Sequence, residues 1–375
     1  MKDLFKNYIY PIATLSGSVI GVGFLSLPYI TLKVGIWPML FYFTTLTALV
    51  VFLHVIFGQI SLKTPDFKRF PGFVGFYLGK KVEGITLILM ILGSFGVLLA
   101  YLVIGGQFLS GILSPLLGGG AFNYTILYFI ILSIIIYFGI NAISKLEFWA
   151  ITFLLISFLI IFIKGFYYIK IGNIFSNKGL THVNWKNAFL PYGAIIFSLW
   201  GVGLIPEIEE MVRGRKKLLK RIIVISMLIP AIIYLLFIFL ILGISGNQTT
   251  ESALIGLKTF LGQGIISIAL FVGVITTFTA FIAQGLLLKK VFMYDLGVKE
   301  FPAWVLTCFP PLIFFLLGFN SFIVLISFVG GVLLSIDGIL ILLMYKKIGG
   351  KKIIAYPLIL VFVLGIIYEV IYFIK

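Results

Sequence analysis

The sequence predicts an all-α membrane protein of about eleven transmembrane helices, built as a five-plus-five inverted repeat with broken first and sixth helices and one extra C-terminal helix. Three observations lead to this prediction: the apolar composition, eleven apolar runs, and a glycine-rich octet that occurs twice. Of the 375 residues, 61% are hydrophobic and 11% are charged, and the mean hydropathy is +1.21. A soluble domain is about half apolar and about a quarter charged. We therefore expect the chain to lie almost entirely within a bilayer.

Apolar runs of about 20 residues can cross the hydrocarbon layer of a membrane. The first run starts near the beginning of the sequence and is predicted to be a span, with no separate signal peptide. We expect residues 1–180 to form the first five-helix repeat, residues 181–347 the second, and residues 348–375 the additional helix. The predicted spans are 9–30, 38–60, 84–113, 122–140, 147–168, 188–211, 221–243, 262–288, 302–318, 321–345 and 353–373.

The distribution of basic residues predicts the orientation. The net charge is +16, and 21 of the 28 lysine and arginine residues fall in segments that are cytoplasmic when the N-terminus is cytoplasmic. Because basic residues favour the cytoplasmic side, we predict a multi-pass plasma-membrane protein whose basic loops contact lipid headgroups. Nucleic-acid binding is disfavoured, since no soluble basic and aromatic module accompanies the charge. Four lysines in one outer segment run against the rule: Lys164, Lys170, Lys178 and Lys186.

An octet in the first predicted span recurs in the sixth. SVIGVGFL occupies residues 18–25, and SLWGVGLI, at residues 198–205, repeats its serine and its Gly-Val-Gly. Glycine costs about 1 kcal/mol relative to alanine inside a helix, so the pair needs an explanation. Close packing of helices explains a single pair, and chance is a second explanation in a chain with 40 glycines. A phosphate-binding loop is disfavoured, because no strand precedes the octet and no lysine follows it.

The matching positions of the octets favour two broken helices. Each octet opens a set of five spans and is followed by a proline, Pro28 or Pro206. Spans broken at corresponding places in two halves indicate a transporter of inverted-repeat design. Backbone groups freed at such breaks are tolerated where they line a cavity. Freed N–H groups can bind a carboxylate and freed carbonyls an ammonium group or a cation, which suits an amino acid.

Several segments resemble one family of permeases. SGSVIGVGFLSLPY (16–29) and AIIFSLWGVGLIPEIEEM (194–211) resemble the broken first and sixth spans of the amino acid–polyamine–organocation superfamily. AYLVIGGQFLSGIL (100–113) is similar to the third span of the amino acid/auxin permease family, while TTFTAFIAQGLLLKKVFMYDLGV (276–298) and FPPLIFF (309–315) resemble the eighth and ninth spans of its aromatic amino acid permease branch. The resemblance covers nearly the whole chain and implies the fold of the sodium-coupled leucine transporter.

The resemblance implies a substrate site at the two breaks. Amides of the first break would hold the substrate carboxylate, and carbonyls of the second would accept its ammonium group. The ring of Trp200 could close over the substrate and exclude water. The hydroxyl of Tyr101 could contact the substrate or bond a neighbouring helix. The candidate substrate-binding residues are Gly21, Val22, Gly23, Tyr101, Phe197, Ser198 and Trp200.

The coupling ion remains open between Na⁺ and H⁺. The resemblance places Thr276 and Thr277 opposite the first break, where their hydroxyls could surround Na⁺ together with the carbonyls of Gly17 and Ile20. Threonine in a membrane helix more often bonds its own backbone one turn back, and the aromatic branch is generally proton-coupled.

Carboxylates inside a membrane are candidates for a functional role, and here the proton-coupling candidates are Glu207 and Asp337. Glu209 and Glu210 are expected to pair instead with Arg213 and Arg215 at the cytoplasmic rim.

The sequence predicts no enzyme. It contains no CxxC, HExxH or GxSxG motif, and no bound cofactor is expected beyond a coupling ion. His54 is expected to bond a neighbouring helix, and with His182 the only other histidine no metal cluster is expected. Cys308 is expected to be a buried filler.

The predicted function is cation-coupled symport of a neutral amino acid, with aromatic amino acids as candidates, by alternating access around a site at the membrane midplane. The alternative is an amino-acid-sensing receptor of the same fold, as in spore germination receptors. A channel is disfavoured, since nothing resembles a repeated selectivity filter. The expected partners are the amino acid and the lipid bilayer.

Overall fold

A computed structural model describes residues 8–65, 68–139, 143–175, 187–212 and 215–374. Three sequence predictions fall partly outside these ranges, because they involve Lys178, Lys186, His182 and Arg213.

The described chain is helical, with no strand in these ranges. Several segments of other helical geometry lie between the α-helices, and three of them bear on the site: 3₁₀ turns at Gly23–Ser26 and Val202–Leu204, and a π-helix at Val329–Leu334. The α-helices are α1 Tyr10–Val19, α2 Leu27–Val34, α3 Ile36–Ser61, α4 Phe70–Leu78, α5 Lys80–Leu117, α6 Ala121–Phe138, α7 Ile143–Gly165, α8 Ile171–Phe175, α9 Pro191–Leu199, α10 Ile205–Val212, α11 Lys216–Ser245, α12 Lys258–Leu261, α13 Gln263–Lys290, α14 Glu300–Leu316, α15 Phe322–Phe328, α16 Ser335–Lys347 and α17 Lys352–Ile374.

The helices confirm the predicted all-α membrane fold. Among the described residues, seven helices are long and apolar enough to span a membrane, and a bent pair, α1 with Gly23–Val34, makes an eighth. The other three predicted spans coincide with α7, with the pair α9 and α10, and with α14. The predicted breaks in the first and sixth spans are both present, after Val19 and after Leu199.

Short connections hold consecutive helices close together. Gly35, at φ +99°, ends α2 and immediately precedes α3, and Gly79, at φ +97°, does the same between α4 and α5. A residue with a side chain would be strained at these backbone angles. The two glycines thus reverse the chain without a loop.

The broken helices lie at the centre of the helix packing. Half-helix α1 packs against α11, and α9 packs against α3 and the π-helix. Long α13 runs beside α5 and α7. The broken helices therefore pack mainly against α3, α11 and the π-helix.

The contact between α9 and the π-helix is made by backbone. A Cβ atom added to Gly193 would collide with the carbonyl oxygen of Ser327, and one added to Gly330 would collide with the carbonyl oxygen of Gly193. Small residues allow membrane helices to approach this closely. The sixth and tenth spans therefore touch without any side chain between them.

Candidate substrate-binding site

The first break exposes backbone amides at the start of a half-helix. After α1 ends at Val19, Ile20 adopts φ −74° and ψ 77°, which is outside the helical range. The Gly21 N–H turns back to the Val19 carbonyl at 2.8 Å. In the described structure, the N–H groups of Val22, Gly23 and Phe24 have no acceptor within the chain. These three amides are the unpaired donors that a helix start presents to an anion.

The second break exposes carbonyls at the end of a half-helix. Trp200 follows α9 in an extended conformation, with φ −82° and ψ 121°, so the helical hydrogen-bond ladder stops. No donor within the described chain reaches the carbonyls of Leu199 and Trp200. Unpaired carbonyls at a helix end favour a cation or an ammonium group.

His54 accepts a hydrogen bond from one backbone amide of the second break. Its Nε2 accepts a hydrogen bond from the Gly201 N–H at 2.9 Å, and its Nδ1 lies 2.7 Å from the Val50 carbonyl. Because Nε2 accepts, Nδ1 must carry the proton, which gives a neutral ring. The ring is fully buried and meets the ring of Trp200 edge-on at 5.7 Å. The expectation that His54 bonds a neighbouring helix is confirmed.

Tyr234 of α11 joins the two breaks. Its hydroxyl lies 2.7 Å from the Val19 carbonyl and 3.2 Å from the Ser198 carbonyl. Its ring is stacked on Phe24, with centroids 4.6 Å apart and planes at 7°. The fully buried Tyr234 side chain therefore contacts the end of α1, the end of α9 and, through Phe24, the start of the half-helix that follows the first break. Sequence reasoning missed Tyr234, although a tyrosine within an apolar run signals a buried hydroxyl that needs a partner.

Each octet contains one packed glycine and one open glycine, in opposite order. A Cβ at Gly23 would lie 2.7 Å from Phe197 Cδ1, and a Cβ at Gly201 would lie 2.6 Å from Val19 Cγ2. A Cβ at Gly21 would meet only the Tyr101 hydroxyl, at 3.8 Å, and one at Gly203 would meet nothing within 4 Å. The first break is thus open at its first glycine, and the second break at its second.

Two of the aromatic candidates contact the glycines of the first break, Tyr101 at the open Gly21 and Phe197 at the packed Gly23. Tyr101, Phe197 and Trp200 are all partly buried. Ser198 is buried, and its hydroxyl donates to the Ala194 carbonyl at 2.7 Å. The Ser198 side chain is therefore bonded to its own helix, whereas its carbonyl accepts from Tyr234.

The threonines proposed for Na⁺ bond their own helix. Thr276 donates to the Val272 carbonyl and Thr277 to the Gly273 carbonyl, both at 2.9 Å. The Thr277 hydroxyl also lies 2.8 Å from the hydroxyl of Tyr128 on α6. A hydroxyl that donates its proton keeps lone pairs for a cation. The site that Thr276 and Thr277 would form with the carbonyls of Gly17 and Ile20 stays a prediction.

The two carboxylates proposed for proton coupling lie in the first turns of two different helices. Glu207 lies in the first turn of α10, is partly buried, and has an Oε2 atom without a partner in the described chain. Asp337 lies in the first turn of α16 and is partly buried. Ion pairs were also expected at the cytoplasmic rim, but in the described ranges Arg215 forms no ion pair with Glu209 or Glu210. Proton coupling through Glu207 or Asp337 stays a prediction.

Comparison with known proteins identifies the family and the fold. Residues 7–335 match the family described as transmembrane amino acid transporter protein. MhsT, in a crystal structure with L-phenylalanine, is similar with a TM-score of 0.65 at 12% identity, over 95% of this chain and 98% of MhsT. Mhp1, in an inward-facing conformation, is similar with a TM-score of 0.64 at 14% identity, over 90% of this chain and 75% of Mhp1.

No curated protein matches the chain significantly in sequence. At these identities the two structures show the fold alone, which agrees with the predicted broken-helix architecture. The family match covers most of the chain, from the first span to the start of α16. The chain belongs to the family of transmembrane amino acid transporter proteins, the amino acid/auxin permease family that its motifs resemble.

Proposed function

We propose that the protein is a secondary active transporter, which moves a neutral amino acid across the plasma membrane in symport with a cation. The observation that carries the proposal is the juxtaposition of the two breaks. Unpaired amides at residues 22–24 and unpaired carbonyls at residues 199–200 lie on half-helices that Tyr234 ties together. One small molecule with a carboxylate and an ammonium group can satisfy both sets.

The chemistry of the site favours a substrate without net charge. The candidate substrate-binding residues are all uncharged, so a zwitterion would be held by backbone dipoles alone. Each favourable interaction of a charge with a helix end contributes about 0.3–1 kcal/mol, and up to about 2 kcal/mol when partly buried. A substrate with a charged side chain would lack a counter-charge among these residues.

Aromatic amino acids are the first substrates to test. Tyr101, Phe197 and Trp200 supply partly buried aromatic surface at the breaks, which suits stacking against an aromatic side chain. The similar protein MhsT was crystallised with L-phenylalanine. Both observations support an aromatic substrate over a small polar one.

The packing of the breaks suits alternating access. The packed glycines Gly23 and Gly201 hold α1 and α9 together, so the broken helices would rock as one unit around a fixed site. The open glycines Gly21 and Gly203 leave room for the substrate beside that unit. Movement of the unit against the wall formed by α5 and α13 would expose the site to each side in turn.

Uptake into proteoliposomes tests the proposal. Purified protein is reconstituted and offered each of the twenty labelled amino acids under an imposed Na⁺ gradient and, separately, an imposed H⁺ gradient. We expect concentrative uptake of at least one neutral amino acid, with aromatic substrates preferred. Absence of uptake under both gradients would overturn the proposal, and amino acid binding without flux would indicate the receptor alternative.

A matched pair of variants tests the hypothesis that Na⁺ is the coupling ion. Thr277→Ala removes a proposed Na⁺ ligand, whereas Thr279→Ala removes a buried hydroxyl that bonds the Thr276 carbonyl at 3.1 Å. Coupling through the proposed Na⁺ site predicts that only Thr277→Ala strongly reduces Na⁺-driven uptake. Equal Na⁺ responses in the two variants would contradict that site.

A further inference from the structure

Glu369 is a carboxylate buried in the last helix. Its side chain lies on α17 and is only 2% exposed, and its Oε1 atom has no hydrogen-bond partner in the described chain. It lies outside the region matched by the family, which ends at residue 335. None of the roles assigned above uses it.

Glu369 projects onto the backbone where the sixth and tenth spans meet. A Cβ added to Gly331 of the π-helix would lie 3.0 Å from Glu369 Oε1 and would collide with its Cγ. The backbone of Gly193, in the first turn of α9, lies within hydrogen-bond reach of the carboxyl group. The carboxyl group therefore touches both partners of the backbone contact between α9 and the π-helix.

Among the residues that the structure describes, the polar groups in contact with Glu369 supply no positive charge. Tyr192 of α9 is a titratable group that faces Glu369 from a neighbouring helix, and its hydroxyl is bonded to Ser335 at 2.9 Å. On α17 itself, Tyr368 and Tyr372 flank the carboxyl group. The charged residues Lys33 and Glu251 lie further out, beside Tyr372. No ion pair involving Glu369 is found in the described ranges.

An isolated ionised carboxylate in this position is costly. Removing an unpaired charge from water costs far more than removing a neutral acid, so a buried group of this kind binds a proton instead. Two states are then available: a neutral acid whose O–H can donate, and a carboxylate that can only accept. The neutral acid can donate a hydrogen bond to a backbone carbonyl, whereas the carboxylate can only accept one from an amide such as that of Gly193.

The backbone of the π-helix can respond to whether Glu369 is protonated or ionised. A π-helix leaves carbonyls without their usual partners and commonly marks a functional position. At Val329–Leu334 the Gly330 carbonyl is already approached by the Ser335 hydroxyl at 3.1 Å. A proton on Glu369 would add a donor next to this segment, and its release would add a negative charge beside the first turn of α9.

We propose that Glu369 is a proton-binding site that couples proton movement to the displacement of α9 against the tenth span. The proposal rests on the proposed function, and it names H⁺ as a coupling ion bound outside the substrate site. On the predicted orientation, Glu369 lies about 7–8 Å from the outer end of α17, at about 1.5 Å per residue. Protons would therefore enter from the outer side.

Two transport measurements on the full-length chain separate coupling from transport. Exchange of labelled for unlabelled amino acid at equal pH requires the site to alternate but needs no net proton movement. Accumulation with the vesicle interior one pH unit above the outside requires coupling, and each co-transported proton supports at most about tenfold accumulation. Glu369→Gln is expected to exchange within about twofold of the wild type and to lose accumulation, to a ratio of about one.

One variant controls for a merely structural role: Glu369→Asp keeps a titratable group and is expected to retain accumulation, which a loss of packing alone would not produce. Glu207→Gln and Asp337→Asn test the other two proton candidates. Loss of accumulation in either of them, with full accumulation in Glu369→Gln, would assign the coupling to that residue and overturn the proposal. Accumulation by Glu369→Gln equal to that of the wild type would overturn the proposal, as would wild-type uptake that responds to Na⁺ alone.

A spectroscopic measurement does not depend on transport. The infrared band of protonated carboxylic acids is expected in the wild type near neutral pH and is expected to lose the contribution of one carboxyl group in Glu369→Gln. An unchanged band in Glu369→Gln would overturn the proposal even if transport could not be measured. Failure of the wild type to exchange any amino acid would instead overturn the proposed function and leave the infrared result to decide on Glu369.

Discussion

The hydroxyl of Tyr234 donates a hydrogen bond to the carbonyl of Val19 at 2.7 Å, across 215 positions of the sequence. The same hydroxyl lies 3.2 Å from the Ser198 carbonyl, at the corresponding point of the second break. The single proton of this hydroxyl from the seventh span is thus placed between one carbonyl in each half of the repeat, with the shorter bond to Val19. This leaves the adjacent carbonyls for a ligand.

Removing the Tyr234 hydroxyl is expected to impair transport more than stability. Hydrogen bonds between membrane helices contribute about 0.6 kcal/mol on average and at most about 1.7 kcal/mol, so Tyr234→Phe should unfold only slightly more easily. The freed Ser198 carbonyl lies next to the carbonyls proposed for the ammonium group, so the substrate concentration for half-maximal uptake should change several-fold. Tyr124→Phe is the control, because that hydroxyl also donates to a backbone carbonyl, that of Gly118, away from the breaks. Equal effects of both variants on uptake would contradict a role at the site.

The glycines of the octets are expected to differ sharply in their tolerance of alanine. Gly23→Ala would place a methyl group 2.7 Å from Phe197, and overpacking of this kind costs about 1–3 kcal/mol. Gly21→Ala would make an ordinary contact with Tyr101 at 3.8 Å. Thermal unfolding in detergent should therefore be lowered by Gly23→Ala and not by Gly21→Ala. The reverse order would show that the breaks do not pack as described.

His54 should be replaceable by a neutral acceptor. His54→Phe leaves the partly buried Gly201 N–H without a partner, at a cost of about 1–3 kcal/mol in the free energy of unfolding. His54→Gln keeps an acceptor and should recover part of the stability and the uptake. Because the ring is already bonded at both nitrogens as a neutral side chain, the pH dependence of uptake by His54→Gln should match the wild type. A shifted pH profile in that variant would indicate a proton-relay role.

Lys289 and Glu300 form an ion pair whose two members should contribute unequally to stability. The Lys289 side chain is 6% exposed, and its Nζ contacts Glu300 Oε1 at 2.9 Å and the Tyr137 carbonyl at 3.1 Å. Glu300 is 64% exposed, so Glu300→Gln should lower the free energy of unfolding by less than about 1 kcal/mol. Lys289→Met also removes a donor from the end of α6 and should cost about 1–3 kcal/mol. Denaturation of the two purified variants compares these values, and an equal loss would contradict the assignment.

The spans and the breaks were predictable because their signals are local. Apolar length defines a membrane helix, and the repeated Gly-Val-Gly locates both helix breaks to within a few residues. The partner of each broken end was not predictable, since Tyr234 and His54 reach the breaks from other helices. Which glycine is packed and which is open also depends on tertiary contacts, because the octets have nearly the same sequence and opposite surroundings.

The carboxylates also show that tertiary contacts could not be predicted from the sequence. Glu207 and Asp337 were singled out because they lie close to, or within, predicted spans. Glu369 also lies within a predicted span, but sequence alone does not tell which face of α17 is covered. Gly331 contributes to its burial, because the missing side chain at that position leaves room for Glu369.

The backbone contact between Gly193 and Gly330, which has no side chain between the helices, constrains the kind of motion that the sixth span can make. Interdigitated side chains would have to separate before one helix could move along the other, whereas two smooth backbone surfaces can translate while staying in contact. We therefore expect α9 to shear along the tenth span rather than to hinge away from it. Distances between spin labels on the outer ends of α9 and α15 should then change little between substrate-free and substrate-bound protein, while the distance from α9 to α5 changes.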